Sequence, residues 1–258
     1  MKNCLKIWRR MALHTAKGIF PISRYTSSLV EAQGVDKSRI QIITLGVDIK
    51  RFKPAKINQR GTVQIQLLTV ARLDLHKGHD RVLEALTILK RQGVKPQYII
   101  VGEGDEEYRL RRMVRNLGLG HQVKFAGFIP ASRLPDMYAS SDIFIMASRE
   151  IPGRLDLVEG FGLSLLEASA SGLPVVAGRS GGVADAVRDG ETGLLVNPDS
   201  PEDIARALRV LFSDTDFAQK LGAEGRRWTE TQMSWDHVAR RLCSTMQRLI
   251  GLESVNKY

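Results

Sequence analysis

Cysteine is scarce in this chain: Cys4 and Cys243 are the only two, near opposite ends of 258 residues. Two thiols so far apart make no disulfide framework and fit a reducing compartment. No run of 18 apolar residues occurs, and the basic N-terminus has no continuous apolar core behind it. Neither a membrane-spanning helix nor a secretory signal is therefore written here. The expected location is cytoplasmic, or peripheral on the inner face of a membrane. Several chemistries are missing as well. There is no Walker A sequence, and Gly102-Glu103-Gly104 fails to complete G-x-G-x-x-G because its sixth position is Glu107, so a nicotinamide dinucleotide site is poorly supported. No G-x-S-x-G occurs, which removes the usual serine-hydrolase signature. Of the five histidines, His76 and His79 sit close together, but no cysteine or carboxylate cluster completes a ligand set. No metal and no cofactor are expected.

What is present begins with charge. The net charge is +10, yet residues 1–60 hold 13 Lys/Arg against 3 Asp/Glu, while the remainder holds 25 of each. A surplus confined to the first quarter argues against a basic surface spread over the protein, and nucleic acid is not an expected partner. Residues 2–17 read as an amphipathic helix. Cys4, Leu5, Ile7, Trp8, Met11 and Ala12 share one side; Lys2, Lys6, Arg9, Arg10 and Lys17 share the other. That apolar face suits either an anionic membrane or, as with most such helices, the protein's own interior.

Short strands are expected at 18–23 and 40–45, with a helix over 24–32 between them, and a polar linker at 55–61. From Val63 a regular α/β pattern sets in, supported by a hydrophobic content of 43%. Apolar runs at 65–71, 98–101, 123–125, 143–147, 173–177 and 193–196 alternate with helical stretches. Those stretches fall near 78–91, 106–117, 134–139, 163–171, 183–188 and 201–212. Strand and helix alternating through short connections mean right-handed βαβ units and a parallel sheet with helices on both faces. Helices over 216–230 and 235–250 close the chain. The expected division is 1–60, 61–232 and 233–258.

The stretch that organises the chain is Asp156-Leu-Val-Glu159-Gly-Phe-Gly-Leu-Ser-Leu-Leu-Glu167. Glu159 precedes a helix and Glu167 lies about one and a half turns inside it, so the carboxylates face different parts of an extended ligand. Between them, the N–H groups of Gly160, Phe161, Gly162 and Leu163 lack intrahelical partners at the positive end of the helix dipole. That is an anion site, with glycines admitting a phosphate close to the backbone. Arg72 and Lys77 follow the first strand of the regular region, where ligands of open parallel sheets bind; alone, such a pair is more often a solvated helix start. Gly102 and Gly104, and Gly181 and Gly182, end two further strands. Each pair is either a plain turn or a place where missing side chains admit a ligand.

Glu159 and Glu167 with Gly-Phe-Gly between them resemble the donor signature of retaining GT-B glycosyltransferases of the GT4 family, and the likeness runs from about Ser23 to Met246. The resemblance implies that Glu159 contacts the transferred sugar and Glu167 the ribose of the nucleotide. It implies further that Arg72 and Lys77 hold the donor diphosphate. Gly102 and Gly104 would lie beside the nucleotide, and Phe128 and Ile129 would supply backbone contacts to the base. The fold implied is the Rossmann-like C-terminal domain of GT-B enzymes, preceded by only the end of the N-terminal acceptor domain. The function implied is transfer of a hexose from a nucleoside diphosphate sugar to a glycan, lipid or other cell-envelope precursor, with retention. Its partners would be that nucleotide sugar and an acceptor that the sequence does not name. Residues Lys2 to Lys17 would face a membrane or the rest of the acceptor domain. A nucleotide-sugar-binding module without catalysis, a half-enzyme needing a partner, a nucleotide-sugar epimerase and a membrane-bound interaction protein stay open beside it.

Overall fold

A computed structural model describes residues 2–54, 64–154 and 156–251, with the side chains of 2–7 and 9 left aside. The linker expected at 55–61 lies outside the described residues. Two helices lead: α1 (Lys2–Thr15) and α2 (Arg24–Glu31). Then β1 (Gln66–Val70), α3 (His79–Arg91), β2 (Gln97–Val101), α4 (Glu107–Asn116) and β3 (Val123–Gly127) alternate. They are followed by α5 (Leu134–Ala139), β4 (Ile143–Met146), α6 (Leu163–Ala170), β5 (Val175–Gly178), α7 (Val183–Ala186) and β6 (Leu194–Val196). Helices α8 (Pro201–Ser213), α9 (Thr215–Gln232) and α10 (Trp235–Leu249) complete the order.

The six strands form one sheet in the order β3-β2-β1-β4-β5-β6, every neighbouring pair parallel. Side chains on a strand alternate between faces, and here they sort into two cores. Leu67, Ile143, Ile145 and Val176 join Val82, Leu86, Leu110, Ile204 and Leu208 from α3, α4 and α8 on one face. Leu68, Phe144, Met146, Val175 and Ala177 join Tyr138, Leu165, Leu166, Val183 and Trp228 from α5, α6, α7 and α9 on the other. Burial on both faces is why these strands read as continuous apolar runs. The chain moves outward from β1 to β3, then returns to β4 on the other side of β1. That reversal opens a crevice beyond the carboxyl ends of β1 and β4.

Two expectations need correction. No strand forms over 18–23 or 40–45: Ile19 and Ile40 make a single parallel bridge, with Ile43 N–H donating to the Pro21 carbonyl at 3.0 Å. Among the described residues neither segment pairs with a second strand, and Pro21 has no N–H to extend a ladder. Helix α1 stops at Thr15, short of Lys17, because Arg39 donates to the carbonyls of Leu13, His14 and Ala16 and so satisfies its C-terminal acceptors. Of the two settings left open for the apolar face of α1, the interior is not the one seen: Trp8 and Met11 are 68% and 52% exposed.

The C-terminal helix does not stand apart. Val47 N–H donates to the Met233 carbonyl at 2.8 Å, and the Trp235 ring lies over Gly46, where a Cβ would come within 2.8 Å of it. Leu249 closes on Gly18 in the same way. Helix α10 therefore packs against the N-terminal segment.

Candidate functional site

The crevice between β1 and β4 is built from two long turns. After β1 the chain runs through Arg72 to a short 3-10 turn, Leu75–Lys77, and enters α3 at Gly78. Gly78 has φ +71°, and a Cβ there would stand 1.9 Å from the Ala147 carbonyl oxygen. Only glycine allows the two turns to lie this close. The contact delivers Lys77 to the acidic motif: its Nζ is 2.6 Å from Glu159 Oε2, with the side chains 17% and 11% exposed. Arg72 is the opposite case, with a side chain 74% exposed and an ion pair to Asp74 at 3.3 Å.

A charge cluster forms around Asp80 in the first turn of α3. Arg149, just past β4, donates through both terminal nitrogens to Asp80, at 2.9 and 2.8 Å, and Arg109 adds a third bond at 3.2 Å. Burial alone raises a carboxyl's pKa, but the two guanidinium groups outweigh it and hold Asp80 below its usual value. The backbone N–H of Arg149 also donates to the His76 carbonyl at 2.8 Å, fastening the β4 turn to the β1 turn. His79 is buried, with Nε2 3.1 Å from the Arg72 carbonyl, and burial pulls its pKa down to about 4. It is a neutral structural histidine. Burial, followed by the charge of Lys77, lowers His76 too.

Glu159 and Glu167 do face different surroundings. Glu167 Oε2 accepts from the Tyr138 hydroxyl at 2.7 Å. Burial raises the pKa of Glu167, with the Tyr138 bond and the charge of Arg51 opposing that rise. Between the two carboxylates, the N–H groups of Gly160, Phe161 and Gly162 have no acceptor among the described residues, and Leu163 begins α6, 39% exposed. The Phe161 side chain is only 1% exposed and sits in the core with Met146 and Leu165. With its ring buried, Phe161 can offer a ligand its backbone alone.

The remaining glycines explain themselves largely by protein contacts. A Cβ on Gly102 would lie 2.0 Å from the Ala71 carbonyl oxygen, and one on Gly104 2.6 Å from that of Leu73. Gly181 and Gly182 press on the carbonyls of Glu159 and Gly160 in the same manner, at 2.3 and 2.0 Å. Gly182 N–H donates to the Glu159 carbonyl at 2.8 Å. This turn therefore braces the acidic motif from behind. Past β3, Phe128 is 69% exposed, while Ile129 is partly buried against the core. The N-terminal segment reaches the same place: Ser23 is fully buried, Ile22 lies beside Gly160, and Arg24 pairs with Asp185 at 2.7 Å.

Reasoning from sequence missed Tyr138, Arg149 and Asp80. Arg149 follows an apolar strand, the same signal that pointed to Arg72. Tyr138 and Asp80 carried no signal beyond core and helix start. Among the described residues, no group of three or more His, Cys, Asp or Glu side chains is arranged to hold a metal ion. None of the described helices is long and apolar enough to cross a membrane.

Residues 50–228 match the family model described as glycosyl transferases group 1. A GDP-mannose-dependent alpha-(1-6)-phosphatidylinositol monomannoside mannosyltransferase of Mycobacterium tuberculosis is 33% identical over 237 residues, covering 88% of this chain and 60% of that protein. Its counterpart in Mycolicibacterium smegmatis is 36% identical over 232 residues, covering 87% and 60%. The chain thus spans about 60% of the length of these curated relatives. Among solved structures, a Rickettsia africae glycosyltransferase superposes with a TM-score of 0.81 at 24% identity, covering 96% of this chain and 67% of that one. Anabaena HepE in complex with UDP-glucose gives 0.82 at 22%, covering 95% and 67%. The parallel sheet with helices on both faces is the one expected for a GT-B glycosyltransferase.

Proposed function

Given that the chain belongs to the group 1 glycosyl transferases, we propose that it binds a nucleoside diphosphate sugar and serves transfer of its hexose, with retention, to a cell-envelope acceptor. The observation that carries this reading is the Lys77–Glu159 contact at 2.6 Å, which unites the basic turn after β1 with the acidic turn after β4. In the proposed complex the diphosphate lies against Lys77, Arg72 and the unpaired N–H groups of residues 160–162. As the bond to the anomeric carbon breaks, negative charge grows on the leaving diphosphate, and these fixed donors stabilise it without reorganising. Glu159, at the mouth of the same turn, accepts from hydroxyls of the sugar and holds it still. Glu167 accepts from the ribose. The reading calls for no metal, since Lys77 and Arg72 supply the positive charge.

The mycobacterial relatives are named for GDP-mannose, whereas HepE was solved with UDP-glucose. We take GDP-mannose as the first donor to test and UDP-glucose as the second. The basic helix α1, with Trp8 and Met11 exposed, is the proposed contact with an anionic inner membrane surface or with further acceptor-domain structure. A thermal-shift series with GDP-mannose, UDP-glucose and ADP-glucose tests the reading. A ligand at 100 times its dissociation constant adds about 2.7 kcal/mol of stability, which is readily measured. Stabilisation by one of the three is expected. No shift with any of them overturns the proposal, and conversion of donor to an epimer without acceptor replaces it with an isomerase.

A further inference from the structure

Tyr138 lies in the last turn of α5 with its side chain fully buried. Its ring is fixed on two sides, stacked on Phe144 with centroids 5.7 Å apart and met edge-on by Phe52 at 5.5 Å. The hydroxyl is thus held at one point in space, and there it donates to Glu167 Oε2 at 2.7 Å. Glu167 Oε1 has no partner among the described residues. An ionised carboxylate accepts through both oxygens, so half of its capacity is occupied and half is presented.

Resting on the proposed donor site, we infer that Tyr138 is a positioning residue: it clamps one oxygen of Glu167 so that the other is presented, preformed, to the vicinal hydroxyls of the nucleotide's ribose. A flexible glutamate free to rotate would lose that freedom on binding; one already clamped does not, and preorganisation appears as affinity. The clamp has a second effect. Burial favours the protonated form of Glu167, and the Tyr138 bond opposes this by stabilising the carboxylate. The other charge facing Glu167 is Arg51 of the segment before the linker, which acts in the same direction. Arg226 on the neighbouring α9 spends its guanidinium on the carbonyls of Ile49, Phe52 and Ala170 and on Glu230.

Calorimetry on the full chain tests the inference, with GDP and UDP and their 2′,3′-dideoxy counterparts as probes. Tyr138→Phe keeps the ring and removes only the hydroxyl. It should weaken the ribonucleotide about three- to tenfold, the worth of one hydrogen bond, and leave the dideoxy form unchanged. In a Glu167→Gln background the same substitution should have no further effect. The acid limb of ribonucleotide binding should move to higher pH, because Glu167 without the clamp protonates sooner. Equal losses for ribo and dideoxy forms, or an unmoved acid limb, would show Tyr138 to be a packing residue and overturn the inference alone. A wild-type chain that binds neither GDP nor UDP would overturn the donor site, and the inference with it.

Discussion

Replacing Lys77 by Met removes the charge that joins the two turns and leaves a side chain of similar length. Its partner is then stranded. Glu159 is 11% exposed at the side chain, so water reaches it poorly. Exposed pairs contribute about 0–1 kcal/mol and breaking a fully buried one costs about 3–5 kcal/mol; the observed exposures place this pair between the two, at about 2 kcal/mol. For a domain of this size that corresponds to a fall of about 4–8 °C in Tm. Nucleoside diphosphate binding should fall at least about tenfold, since a charge-assisted bond of about 1.5–3 kcal/mol goes and an unneutralised carboxylate now faces the phosphates. Glu159→Gln removes that repulsion. The double variant should therefore be more stable than the sum of the two single effects predicts, by about 1.5 kcal/mol or more, and should bind diphosphate better than Lys77→Met. Thermal unfolding and calorimetry on the four proteins complete the cycle. Additivity within about 0.5 kcal/mol, the figure for independent sites, would refute the claim that this contact organises the site.

Arg149→Met should be among the most damaging substitutions, because it leaves Asp80 buried with only the half-exposed Arg109; a loss of about 3 kcal/mol is expected by denaturant titration. Acid should destabilise the fold earlier than ordinary carboxylates would. The pKa of His79 is lowered to about 4 from an unfolded value of 6.5, so the unfolded chain binds the extra proton first and stability is lost as pH falls from about 6.5 toward 4. His79→Gln should flatten that part of the profile; an unchanged slope would mean that the histidine is not buried and neutral.

Much of this was legible beforehand, for reasons that the folded chain makes plain. The six apolar runs were long enough and buried enough on both faces to announce a parallel sheet. The reversal from β3 back to β4 then fixed where Lys77 and Glu159 must meet. The edge segments 18–23 and 40–45 misled because apolar character says nothing about whether a neighbour exists to complete a ladder. Tyr138 and Asp80 were invisible, and Arg149 was passed over despite following an apolar strand, because their meaning is a partner: Tyr138 finds Glu167, and Arg149 finds Asp80, across separations that no local pattern encodes.

In the proposed donor site, the pairing of charges would also provide a means of discrimination. Lys77 is neutralised by Glu159, Arg72 by Asp74 and Arg149 by Asp80. A phosphate arriving here meets almost no free charge and gains only by exchanging partners. A monophosphate, or a stretch of nucleic acid backbone, must compete with Glu159 for Lys77 and returns nothing to the displaced carboxylate. A diphosphate sugar offers the phosphate oxygens to Lys77 and, in the same molecule, hydroxyls to Glu159. The exchange then leaves no group unpaired. On this argument the resting ion pair is a selectivity device, because it raises the threshold for every anion that lacks a sugar beside it. The nucleoside diphosphate without its sugar should accordingly bind more weakly than the nucleotide sugar in the wild type, and the gap should narrow in Glu159→Gln, where Lys77 is already free. Calorimetry with GDP and GDP-mannose on both proteins measures that gap, and a gap of the same size in both would refute the exchange.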